Sequence, residues 1–107
     1  MISFEEFSNL FDSIDGEPEF EIYIYGSNTS YMIIKYDDHV SFQRCGYKDG
    51  SGEYVYPSLS ELYQTVSVDD ICLKNSWNKI KTIIADASFD LSVPEELEEF
   101  IDSYSFD

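Results

Sequence analysis

Residues 19–45 run Glu19-Phe20-Glu21-Ile22-Tyr23-Ile24-Tyr25, Gly26-Ser27-Asn28-Thr29, Ser30-Tyr31-Met32-Ile33-Ile34-Lys35-Tyr36, Asp37-Asp38, and His39-Val40-Ser41-Phe42-Gln43-Arg44-Cys45. In the first block Phe20, Ile22 and Ile24 alternate with Glu19, Glu21, Tyr23 and Tyr25. Successive side chains of a strand point to opposite faces, so this is a strand with one apolar face. The block at 30–36 is apolar on both faces, with Tyr31 and Ile33 on one and Met32, Ile34 and Tyr36 on the other. It is therefore the candidate central strand. The third block, 39–45, turns Val40 and Phe42 inward. Gly26-Ser27-Asn28 and Asp37-Asp38 are short turn sequences, and short connections between strands favour an antiparallel meander.

Working outward, a loop from Gly46 to Gly52 contains Asp49-Gly50. Glu53-Tyr54-Val55-Tyr56 follows as a fourth strand, ended by Pro57. Upstream, Ser3 and Glu6 have capping-box spacing, and Phe4, Phe7, Phe11 and Ile14 recur at helical period before Gly16 and Pro18. Downstream, Ser58 with Glu61 precedes Leu59, Leu62, Tyr63 and Val66, and Ser67 with Asp70 has the same spacing. Leu73, Trp77, Ile80 and Ile84 then form an amphipathic helical stripe, with Lys74, Lys79 and Lys81 off it and expected to pair with nearby acids. Ser92-Val93-Pro94-Glu95 opens a last helix that carries Leu97, Phe100, Ile101 and Tyr104.

The order is α-β-β-β-β-α-α-α over one domain, residues 1–107. This predicts an α+β fold: a four-stranded antiparallel meander sheet, an N-terminal helix and about three C-terminal helices packed on one face. The predicted core is Phe4, Phe7, Phe11, Phe20, Ile22, Ile24, Met32, Ile34, Phe42, Leu97, Phe100 and Ile101.

Charge is distributed unevenly. Residues 1–34 carry seven acids and no base, and residues 82–107 carry eight acids and no base. All six bases fall between Lys35 and Lys81, where seven acids nearly cancel them; the three segments contribute −7, −1 and −8 to a net charge of −16. Yet 43% of the chain is hydrophobic, with eight Phe and nine Tyr, too much apolar material for a disordered acidic tail. Such a surface repels nucleic acid and lipid headgroups and attracts a basic protein.

The last helix concentrates this charge in Glu95, Glu96, Glu98, Glu99 and Asp102. Like charges at i,i+4, such as Glu98 and Asp102, weaken an isolated helix, while acids in the first turn recover a little through its dipole. The N-terminal segment adds Glu5, Glu6, Asp12, Glu19 and Glu21, and Tyr23 and Tyr25 add rigid amphipathic contact area beside them. Those twelve residues are the candidate partner-binding set. Carboxylates spread over ~20–30 Å would imitate the phosphates of a nucleic acid, which in duplex DNA number one per ~1.7 Å of axis.

Catalytic signals are missing. There is one His and neither a nucleophile elbow nor a P-loop, and His39 with Asp37-Asp38 lacks metal-ligand spacing. Cofactor and metal are both expected to be none. Cys45 and Cys72 suit two free thiols in a reducing cytosol, with a single bridge as the alternative. The start Met1-Ile2-Ser3-Phe4-Glu5-Glu6 has neither the basic nor the apolar region of a secretory signal, so the expected location is cytoplasmic.

The leading expectation is a stoichiometric inhibitor of a nucleic-acid-handling protein, working by nucleic-acid mimicry, as phage or mobile-element anti-CRISPR and anti-restriction proteins do. An immunity protein that neutralises a cognate basic toxin has the same composition. A structural or regulatory adaptor, whose acidity serves solubility alone, is the third class.

Overall fold

The computed structural model describes residues 2–46 and 53–104. The first helix, α1 (Phe4–Ser13), starts where its capping box closes: Ser3 Oγ accepts from the Glu6 amide, and the Ser3 amide donates to Glu6 Oε1, both at 3.1 Å. Its apolar stripe buries Phe7 and Phe11.

Strands β1 (Glu19–Ile24), β2 (Ser30–Lys35), β3 (Val40–Arg44) and β4 (Tyr54–Tyr56) form the expected meander. Two further strands, β5 (Ile80–Ala85) and β6 (Phe89–Asp90), extend it on the far side of β1. The result is one six-stranded antiparallel sheet in the order β4-β3-β2-β1-β5-β6. The fold is α+β, with six strands in place of the four expected. The Asp49-Gly50 turn lies outside the described residues.

The extra strands correct the reading of 73–85 as one helix. Only Leu73–Ser76 (α3) is helical, followed by a 3₁₀ turn at Trp77–Lys79. Ile80-Lys81-Thr82-Ile83-Ile84-Ala85 is mostly β-branched, which favours strand. The apolar stripe runs through three elements, and on β5 its members Ile80 and Ile84 fall on opposite faces of the sheet. Tyr23 faces Thr82 but Ile24 faces Ile80, so Lys81 is the extra residue. One inserted residue resets the alternation and buries Ile80 and Ile83 together, three apart as on a helix.

The remaining helices are α2 (Leu59–Gln64) and α4 (Pro94–Tyr104). Ser58 caps α2 by accepting from the Glu61 amide. Ser67 and Asp70 do not cap a helix. Asp69 and Asp70 both adopt left-handed backbone, φ 54° and 60°, in a tight turn closed by Ile71 N–H to Val68 O, and Ser67 Oγ donates to Ile71 O.

The core lies between the helices and one face of the sheet. Phe7 and Phe11 from α1 and Phe100 from α4 all meet Phe20, at ring-centroid separations of 5.0, 5.8 and 5.8 Å. Phe4 stacks on Tyr63 and meets Trp77 edge-on, and Trp77 Nε1 donates to Ile2 O. Three core expectations change. On β2 the buried pair is Tyr31 and Ile33, whereas Met32 and Ile34 occupy the opposite face, half-buried. Ile101 is 39% exposed, because it sits on the flank of α4 turned away from Phe100.

Candidate partner-binding surfaces

The two terminal helices, α1 and α4, carry eight of the 22 acids. α1 and α4 both pack on the Phe20 face of the sheet. Ile2 and Glu6 share a cleft of about 220 Å³ with Leu91, Ser92, Pro94 and Leu97, so the two helix beginnings are neighbours. At the other end Gly16 lies against Tyr104, so the helices run side by side in the same direction. Their apolar stripes face the sheet, which leaves Glu5, Glu6, Asp12, Glu95, Glu98, Glu99 and Asp102 exposed and Glu96 half-buried. Glu96 Oε1 accepts from the Asp90 amide at 3.1 Å. The Ser3 backbone and hydroxyl hydrogen bonds hold the Glu6 carboxyl below the usual range, so it stays ionised.

The base that reaches the end of α1 is used internally. Lys35 Nζ donates to Phe11 O and Ile14 O, both at 2.6 Å, and lies 5.4 Å from the centre of the Phe11 ring. It satisfies carbonyls at the end of α1 that no intrahelical amide reaches. Arg44 is likewise engaged, with Asp69 Oδ1 at 2.8 Å, and Tyr31 OH donates to Asp69 Oδ2 at 2.8 Å. Burial, and then the Asp69 hydrogen bond, push the Tyr31 hydroxyl pKa up. Lys74, Lys79 and Lys81 are exposed, and among the described residues no carboxylate lies within ion-pair distance of them. The expected Lys–acid pairs do not form.

Among the described residues no helix packs on the other sheet face. Register arranges its side chains in three rows. One runs Val55, Ser41, Ile34, Glu19; the next Gln43, Met32, Glu21, Ile84, Asp90; the third Ser30, Tyr23, Thr82. Val55 is 59% exposed and Tyr23 38%, while Ser41 is fully buried with its hydroxyl unpartnered. Ser30 Oγ donates to Glu21 Oε2 at 2.5 Å, and the nearby Glu21 carboxylate is the main cause raising the Tyr23 hydroxyl's pKa. At one margin burial pushes the Asp90 carboxyl up, but hydrogen bonds from Ser92 and Thr82 outweigh it and leave the pKa lowered.

The candidate set therefore divides. Eight carboxylates from α1 and α4 share the helical layer. Glu19, Glu21 and Tyr23 lie on the opposite face of the sheet, and Tyr25, 66% exposed, stands at the β1–β2 turn. The alternation in β1 sets Glu19, Glu21 and Tyr23 on the face away from Phe20 and Ile22, and they are found there.

Elsewhere the chemistry is sparse. His39 Nδ1 is 2.6 Å from Asp38 Oδ1, and its ring stacks on Tyr36. They line a cleft of about 230 Å³ with Asp12, Lys35 and Asp37. Among the described residues no group of three or more His, Cys, Asp or Glu is placed to hold a metal ion. Cys45 and Cys72 are free thiols; burial pushes the Cys45 thiol pKa up, and Cys72 Sγ lies 3.7 Å from Tyr63 O. No helix among the described residues is long and apolar enough to cross a membrane. In comparisons with known proteins, the chain matches no family model, no curated protein and no solved structure.

Proposed function

We propose that this chain is a stoichiometric inhibitor that covers the basic nucleic-acid-binding surface of another protein, with the α1–α4 layer as its contact. One observation carries the reading: two adjacent helices running in the same direction present seven exposed carboxylates, with Glu96 half-buried beside them, and the segments that supply them contain no base. Each helix is about 15 Å long at 1.5 Å per residue. Duplex DNA displays roughly nine phosphate charges over the same length of axis. The layer thus approaches DNA in charge density, although it spans less than the ~20–30 Å expected from domain size. α4 holds Glu95, Glu98, Glu99 and Asp102 against i,i+4 repulsion, a cost that solubility alone would not require at a net charge of −16.

The partner is a nuclease or another nucleic-acid-binding protein. The test is affinity capture from the native host, then measurement of whether the captured partner's DNA or RNA competes with this chain. Competition is the expected result. A partner that binds equally tightly while holding its nucleic acid removes the mimicry, and a partner acidic at its contact surface removes the proposal.

A further inference from the structure

The open sheet face contains a small depression of about 50 Å³, lined by Glu19, Glu21, Met32, Ile84 and Ala87. Its volume is several times what one water molecule needs. Met32, Ile84 and Ala87 make its walls apolar, and two carboxylates border it. Glu19 and Glu21 are two residues apart on β1, so their Cα atoms are separated by roughly 7 Å along one face. No basic side chain occupies any of the three rows on this face.

We infer that this depression is a socket for an arginine side chain presented by a protein partner. The aliphatic stem of arginine lies along apolar surface while its head stays polar, which matches walls of Met32 and Ile84 below two carboxylates. The planar guanidinium has five donors and can address both carboxylates at once, whereas a lysine ammonium is a compact point charge. Ser30 already orients Glu21 by donating to its Oε2, which lessens the ordering left for binding to impose. A second copy of this chain does not fit, because two such faces would oppose Glu19 and Glu21 with like charge. The socket lies across the sheet from the α1–α4 layer, so its occupancy does not depend on that layer's role.

The test is a ¹H–¹⁵N NMR titration of the full chain with blocked arginine amide, repeated with blocked citrulline amide and blocked lysine amide. The expected result is saturable shifts centred on residues 19–21, 32, 84 and 87 for arginine, and weaker ones for lysine and citrulline. Glu19→Gln/Glu21→Gln should weaken arginine binding roughly tenfold or more, the scale of a lost charge-assisted hydrogen bond. Glu98→Gln/Glu99→Gln on α4 should leave it unchanged. Shifts spread over all the carboxylates, equal binding of lysine, or full binding by Glu19→Gln/Glu21→Gln would each overturn the assignment. None of these outcomes bears on whether the helical layer blocks a nucleic-acid site.

Discussion

Asp86 shows how single residues hold distant parts of this chain together. With Ala87 it forms the β5–β6 turn, and both adopt left-handed backbone, φ 50° and 61°. Asp86 Oδ1 accepts from the Glu19 amide at 3.1 Å, and its Oδ2 accepts from Tyr104 OH at 2.5 Å. One carboxylate thus joins the turn, the start of β1 and the end of α4. Asp86→Ala should cost about 2 kcal/mol in urea denaturation, the scale of hydrogen bonds to a charged group. Ala87→Gly should stabilise by about 0.5–1 kcal/mol, because glycine adopts this backbone without the steric penalty of a Cβ. Burial and the Asp86 hydrogen bond push the Tyr104 hydroxyl from 10.0 to about 12. The raised value means the folded state keeps a proton that the unfolded chain releases. Its contribution is complete below pH 10 and declines as pH rises toward 12. Tyr104→Phe should flatten the loss of stability measured across that window. None of this was legible in the sequence, since left-handed turns at Asp-Ala and a contact 67 residues apart leave no local pattern. The Ser3–Glu6 box was legible because both partners lie within one helical turn.

At the scale of elements, local rules succeeded where a segment stood alone and failed where a neighbour reset its geometry. α1 and β1 to β3 form as their spacing predicts, because a strict period identifies the element type and capping or turn chemistry ends it. Residues 80–85 failed because Leu73, Trp77, Ile80 and Ile84 keep a helical spacing while belonging to a helix, a 3₁₀ turn and a strand. The two readings differ about neighbouring residues. A helical stripe places Ile84 in the core, whereas the strand buries Ile83 completely and leaves Ile84 half-exposed on the open face. Ile83→Ala should therefore cost about 2–5 kcal/mol and Ile84→Ala well under half of that, read from urea midpoints at constant slope. Equal losses would show that β5 is not oriented as described. Lys35 makes the related point for α1. Its sequence position on β2 says nothing about a helix that ended some twenty residues earlier, yet its ammonium closes that helix. Lys35→Met keeps most of the stem volume but orphans two carbonyls, and should cost about 1–3 kcal/mol in the same measurement.

For the whole molecule, the deciding quantity is the imbalance between charge and pairing. Among the described residues the Arg and Lys side chains form a single ion pair, Arg44–Asp69, against a net charge of −16. The charge asymmetry was legible from composition, but its division between two faces was not, because that depends on which side of β1 each helix packs. With little to lose from screening, the protein should gain stability as salt rises. The Debye length falls from about 30 Å at 0.01 M to about 10 Å at 0.1 M, and the melting temperature should climb by a few degrees over that range. The same charge should govern binding. Association with the captured partner should exceed the neutral range of ~10⁵–10⁶ M⁻¹s⁻¹ and slow as salt rises. Reversing Glu95, Glu98, Glu99 and Asp102 to Lys should reduce the association rate strongly. It should also raise dissociation for whichever of these carboxylates loses its water in the complex, since rim charges act on encounter and desolvated ones on residence. Glu53→Gln, close to the edge strand β4 and exposed, serves as the control and should change neither rate appreciably. Surface plasmon resonance at two salt concentrations separates the two rates. If the reversed protein keeps its circular dichroism spectrum and binds as wild type does, the α1–α4 layer is not the contact.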